Sequence, residues 1–383
     1  MRIRTFLSSL LVIALISPGL AFACSAFVLK GNTYTVIGFN ENGPYLPGMV
    51  VVNKRGIRKH NLSWSRMVAA QPGKPDLTWT SQYGSVTTTV MGLDLPCYGM
   101  NERGLFVVEL ALKNTYSKPD LARPNMFWGQ WIQYQLDNYA TVQEVVEHVK
   151  SGPVIDWWPE LPGSQFSVSD AGSHFFVSDA GGNTAAIELI EGEPVISYGS
   201  SMPVPALCND IYAHEAAHLA EYDGFGGTKQ FDMQSMDFGK RFLKLAYGLK
   251  DYKRESASPI DYAWKMLDGV RPGVWQLVGD VRERVLYFRT AQVGKIKSID
   301  LDRLDFSAAS PVLFVDLHLN VQGDITTALS QWTPGVNRAY VTVGFPAAYQ
   351  DKFYNSPDYD HVVQNLDAYV SGIEHQTRRA AQR

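Results

Sequence analysis

Cysteine is scarce in this chain: Cys24, Cys97 and Cys208 are the three in 383 residues. Three thiols make no disulfide framework, and a Cys97–Cys208 bridge would leave Cys24 free; the sequence leaves that pairing open. Runs of basic residues are missing too, and the net charge is −4, which argues against nucleic acid as a partner. Beyond residue 23 there is no apolar stretch of the ~20 residues that a membrane span needs. No internal repeat, low-complexity tract or linker divides the chain. What remains is ordinary globular composition, 45% hydrophobic and 19% charged. Aromatics are plentiful at 12%, nine of them Trp, enough for a core and for lining an apolar ligand pocket.

The one strongly apolar segment is at the start. Arg2 and Arg4 precede an apolar run over residues 6–16, and Pro18-Gly19 leads to Ala21-Phe22-Ala23. These are the three parts of a secretory signal peptide, so residues 1–23 are expected to be removed and 24–383 to form one domain, periplasmic or secreted. Cleavage after Ala23 would make Cys24 the first residue. A thiol and a free α-amine then share one residue. Their ordinary pKa values, ~8.5 and ~7.7–8.0, are close enough for the amine to act as base for the thiol. Two other readings of Cys24 stay open. It could carry a lipid, although lipoprotein processing favours Leu three residues upstream and a small residue two upstream, where Ala21 and Phe22 stand. It could also be an inert buried cysteine at a strand start.

Further along, alternating and β-branched runs predict strands over 24–29 and 33–37, joined at Gly31-Asn32, then over 50–52, 79–89, 105–112, 173–179, 184–190, 195–198, 274–278, 284–290, 312–317 and 339–343. Helical spacing predicts helices over 127–150, with Thr141 and Glu144 as a capping box, and over 211–221, 238–249, 259–267 and 360–371. Antiparallel hairpins mixed with helices favour an α+β domain of layered sheets.

Several stretches, in order, resemble the choloylglycine hydrolase family of N-terminal-nucleophile cysteine amidases, which includes bile salt hydrolases, penicillin V acylases and some N-acyl-homoserine-lactone acylases. They are Cys24-Ser25-Ala26-Phe27-Val28, Trp79-Thr80-Ser81-Gln82-Tyr83-Gly84-Ser85-Val86, Gly99-Met100-Asn101-Glu102-Arg103-Gly104-Leu105, Trp131-Ile132-Gln133-Tyr134-Gln135-Leu136-Asp137-Asn138, Leu207-Cys208-Asn209-Asp210-Ile211-Tyr212 and Leu286-Tyr287-Phe288-Arg289-Thr290. The resemblance implies a four-layer αββα sandwich and hydrolysis of linear C–N amide bonds in a small-molecule acyl amide, with no metal or organic cofactor and with assembly as a homotetramer. It also implies roles. Cys24 matches the nucleophile. Asn209 matches the asparagine whose amide stabilises the oxyanion, and the backbone N–H of Ala111 would be the second donor. Arg241 matches the arginine whose positive charge favours the thiolate.

The chain departs from the family at Gly38-Phe39-Asn40-Glu41-Asn42, where the family carries Gly-Arg-Asn-x-Asp. Phe39 replaces the arginine and Asn42 the aspartate that orients the nucleophile. Asn42 can still accept a hydrogen bond, and Glu109 is a carboxylate that could compensate. Strand alternation, counted from Asn42, points Glu41 the other way.

A rival constellation is His214-Glu215-Ala216-Ala217-His218, which on a helix would put His214 and His218 on one face as zinc ligands with Glu215 as base. Two solvated histidines on an exposed helix are the plainer alternative. A non-catalytic acyl-amide-binding descendant of the amidase fold is a third reading, favoured by Phe39 and Asn42.

Overall fold

A computed structural model of the chain describes residues 24–42, 47–118, 122–156, 172–235, 237–252, 257–270, 273–349 and 357–383. The expected signal segment, 1–23, lies outside them. Two large sheets organise the rest. The seven-stranded sheet runs Ala206–Leu207, Ser25–Lys30, Thr35–Glu41, Trp275–Asp280, Val285–Thr290, Lys297–Asp300, Gly323–Asp324. The nine-stranded sheet runs Glu193–Tyr198, Thr184–Ile190, Ser173–Ser178, Phe106–Ala111, Tyr98–Asn101, Ser85–Thr89, Met49–Asn53, Leu313–Asp316, Ser330–Gln331, antiparallel throughout.

Side-chain alternation explains why there are four layers. Along the 106–111 strand, Phe106, Val108 and Leu110 enter the core shared with the seven-stranded sheet. Val107, with Leu105 before it, enters a second core with Trp131, Ile132 and Leu136 of the Trp128–Asn138 helix. A strand apolar on both faces is one buried on both sides. On the other flank, helices Arg241–Tyr252 and Pro259–Val270 cover the seven-stranded sheet. The expected αββα sandwich is the fold.

The first hairpin sets the register that matters most. Gly31 N–H donates to Tyr34 C=O at 3.0 Å, so the turn is centred on Asn32-Thr33, one residue later than Gly31-Asn32. Strand pairing then runs Lys30↔Thr35 to Ser25↔Asn40, which brings Cys24 level with Glu41. A turn one residue earlier would have put Phe39 there, because each one-residue shift of a turn moves the pairing by two.

Three other expectations change. Residues 79–89 form two strands, Thr78–Thr80 and Ser85–Thr89, in different sheets. Between them the Gln82 and Tyr83 N–H groups both donate to the Asp137 carbonyl, and Gly84 lies where a Cβ would sit 2.3 Å from the Phe306 ring. The 127–150 helix is two, Trp128–Asn138 and Val142–Val149; Thr141 breaks it by capping the second, with Glu144 completing the box. The strand expected at 339–343 is inside a helix, Pro334–Tyr349. Thr333 accepts from the Val336 N–H at 3.3 Å ahead of Pro334, and this start signal outweighs the β-branched Val341-Thr342-Val343.

A buried ionic cluster sits beneath the 128–138 helix. Lys59 Nζ lies 2.9 Å from Asp94 and 3.0 Å from Asp137, with all three side chains essentially unexposed. Trp79 Nε1 donates to Asp137, and Tyr369, on the last helix Pro357–Ala381, donates to Asp94 at 2.7 Å. No helix among the described residues is long and apolar enough to cross a membrane.

Candidate active site

Cys24 stands at the head of the Ser25–Lys30 strand, 2% exposed. Three segments meet it. The short Ala206–Leu207 strand pairs Leu207 with Ala26, and continuing that register brings Asn209 level with Cys24. Cys208 Sγ accordingly lies 3.7 Å from Ser25 Oγ. Cys97 and Cys208 are both free thiols.

Arg241, first residue of its helix, reaches Cys24, Ser25 and Asn209. Its Nη1 donates to the Cys24 carbonyl and, at 3.0 Å, to Ser25 Oγ; its Nη2 donates to Asn209 Oδ1 at 3.0 Å. That contact fixes which way the Asn209 amide points, because its oxygen must face the guanidinium. The amide nitrogen donates to the Ala111 carbonyl at 2.6 Å and has a second hydrogen to offer. The structure thus gathers Cys24, Asn209, Ala111 and Arg241, which are far apart in sequence.

The segment carrying Asn209 is pinned from behind. His174 Nε2 donates to the Cys208 carbonyl at 2.7 Å. Glu188 accepts from the Tyr212 N–H at 3.0 Å, just where the Tyr212–Leu219 helix begins. Tyr212 in turn donates its hydroxyl to Val204 C=O at 3.0 Å. The sequence reading had not picked out His174 or Glu188. Their signal was two ionisable residues in otherwise apolar strands.

The carboxylate at the thiol is Glu41. Cys24 Sγ donates to Glu41 Oε1 at 3.5 Å. The expectation that Glu41 points away is corrected by the register, since residues directly opposite in an antiparallel pair share a face. Asn42 meets the sulfur through its backbone N–H. Glu109 does not meet it: Ser173 Oγ donates to that carboxylate instead. Phe39, in place of the family's arginine, is fully buried with its ring 5.3 Å from that of Tyr98.

Burial dominates the electrostatics. It pushes the Cys24 thiol well above its usual range. The Glu41 charge adds to this, the Asn42 N–H opposes it, and Arg241 opposes it least. The Arg241 charge thus acts in the thiolate's favour but is the smallest of these influences. Burial lifts the Glu41 carboxyl to about 7, against the lowering effect of the thiol's hydrogen bond. Burial lifts Glu109 to about 8, eased by Ser173 and reinforced by the Glu41 charge.

The His214/His218 pair is solvent-facing. The side chains are 65% and 45% exposed and lie beside Asp210, at 3.5 Å, and Glu221, at 3.8 Å. Among the described residues no three His, Cys, Asp or Glu side chains converge on a position that could hold a metal ion.

The family model of the linear amide C–N hydrolases, choloylglycine hydrolase family, matches residues 48–249, more than half of the 383. The match begins downstream of Cys24, Glu41 and Asn42. The chain is 24% identical over 276 residues to the penicillin V acylase of Pectobacterium atrosepticum, covering 61% of this chain and 70% of that protein. The solved penicillin V acylase of Agrobacterium tumefaciens has a similar fold, with a TM-score of 0.66 and 24% identity over 81% of this chain and 98% of that one. A conjugated bile acid hydrolase from Clostridium perfringens, solved as a cysteine-to-alanine variant, gives a TM-score of 0.61 and 16% identity over 78% of this chain and 98% of that one.

Proposed function

Because the chain belongs to the linear amide C–N hydrolases of the choloylglycine hydrolase family, we propose that it hydrolyses an N-acyl amide with Cys24 as nucleophile, after export has removed residues 1–23. The observation that carries this reading is the single guanidinium of Arg241 tying together the Cys24 carbonyl, Ser25 and Asn209. The sulfur attacks the amide carbonyl carbon while a proton acceptor beside it takes the thiol proton. The second amide hydrogen of Asn209 and the backbone N–H of Ala111 bind the oxyanion. Collapse returns the proton to the leaving amine, and water hydrolyses the resulting thioester.

The acyl side is apolar in this reading, as in penicillin V, conjugated bile acids or N-acyl homoserine lactones, and the enzyme assembles as a homotetramer. Two measurements test it. N-terminal sequencing of the exported protein should begin at Cys24. The Cys24→Ala protein should lose turnover on a panel of those three amide classes while keeping its fold. A mature chain that starts elsewhere, or a Cys24→Ala enzyme that still turns over, would overturn it. Affinity for the panel without turnover in the native protein would instead mark a binding descendant.

A further inference from the structure

We infer that Glu41, the residue directly across the first hairpin from Cys24, is the proton acceptor for the thiol in this chain. The inference rests on the amidase reading above and deepens it by assigning that proton to Glu41 instead of the α-amine.

Three observations converge on Glu41. First, the hairpin register sets Glu41 level with Cys24, and the carboxylate oxygen is 3.5 Å from the sulfur, so proton transfer needs no rearrangement. Second, its backbone is held. Glu41 pairs with Trp275 on the neighbouring strand, and a Cβ at Gly273 would lie 2.6 Å from the Glu41 carbonyl, a close approach open only to glycine. Third, the residue after it is Asn42, a neutral side chain that cannot serve as a base at neutral pH.

The surroundings suit the task. The thiol is held in its protonated form by burial, so attack requires an acceptor for its proton. The Glu41 carboxyl lies near 7, where a base is both substantially ionised and strong enough to take a proton. Around it stand Cys24 on its own sheet and Cys97, Tyr98 and Glu109 from the facing sheet. The cations at Cys24 are its own α-ammonium, once residues 1–23 are removed, and Arg241, which is bonded to the Cys24 carbonyl, Ser25 and Asn209.

The step balances. As the S–C bond forms, the S–H proton moves to Glu41 and the carbonyl π pair moves to oxygen. When the oxyanion collapses, the C–N bond breaks and the amine nitrogen takes the proton from Glu41. Glu41 then accepts a proton from the water that attacks the thioester, and the departing sulfur recovers it.

The test uses the mature protein, Glu41→Gln and Glu41→Asp, with two readouts across pH 5 to 10: kcat/KM on penicillin V, and alkylation of Cys24 by iodoacetamide. Removing the Glu41 charge should shift alkylation of the Glu41→Gln protein to lower pH, because the thiolate forms more easily. Turnover should fall roughly 10²–10⁴-fold and lose its rise near pH 7. More thiolate with less catalysis is a combination that a purely structural role would not give. Glu41→Asp keeps the carboxylate and should keep the rise near pH 7 at reduced rate. An unshifted alkylation profile, or turnover within a few-fold of the native protein, overturns the inference while leaving the amidase reading intact. If Cys24→Ala still turns over, that reading falls and this inference with it.

Discussion

Glu188 Oε1 lies 3.1 Å from His174 Nδ1, on adjacent strands and with both side chains wholly buried. Breaking a buried pair of this kind leaves an uncompensated partner in the interior, at about 3–5 kcal/mol. Glu188→Ala should lose that much stability in urea unfolding with an unchanged m-value. Glu188→Gln, which keeps the shape and can still accept from Tyr212, should lose less. Because the pair holds the segment bearing Asn209, kcat should fall more than KM rises in both. Stabilities within about 0.5 kcal/mol of the native protein, the range of ordinary surface substitutions, would show that the pair is dispensable.

Asn209→Ala removes the amide bridging Arg241 and Ala111. Loss of one oxyanion donor is expected to lower kcat by ~10²–10³. Alkylation of Cys24 should change little, since the Arg241 bonds to Cys24 and Ser25 do not pass through Asn209. A kcat loss below tenfold would remove Asn209 from the oxyanion site.

Lys59→Met leaves Asp94 and Asp137 facing each other without a cation, and burial already raises the Asp137 carboxyl. A loss of about 3–5 kcal/mol in denaturant unfolding is expected. Tyr369→Phe withdraws one donor from Asp94 and should lose about 1–3 kcal/mol, the penalty for an unsatisfied buried acceptor. The order of the two effects is the check.

Glu109 links stability to pH with a definite sign. Its carboxyl titrates near 8 in the folded chain and near ~4.3 when unfolded, so between those values the folded state binds more protons. Its contribution is fully present below the unfolded value and is lost as pH rises toward 8. Glu109→Gln should therefore flatten the fall of Tm between pH 5 and 8, measured by calorimetry. A fall as steep as in the native protein would place the proton elsewhere.

Much of this was legible in the residues. The interrupted apolar strands gave the layered α+β fold, and the stretch from Leu207 to Tyr212 gave Asn209. The family resemblance pointed to Arg241, which the structure brings to the Cys24 carbonyl. Glu41 was missed for a precise reason: alternation fixes faces only relative to a reference, and the reference taken was Asn42. The turn at Asn32-Thr33 makes Cys24 the right one. His174 and Glu188 were missed because their purpose lies in a third segment, the loop after Leu207, that no local pattern connects to them. The helix over Pro334–Tyr349 was hidden by its β-branched middle.

The middle of the seven-stranded sheet joins Thr35–Glu41 to Trp275–Asp280, whose facing pair Glu41 and Trp275 are separated by most of the chain. At ~5–20 residues per second, a ribosome needs on the order of ten to fifty seconds to cross that interval. The opening hairpin, with Cys24 at its head, must wait through all of it without its permanent neighbour. Its alternatives during that delay are to stay unfolded, to be shielded by a chaperone, or to pair wrongly.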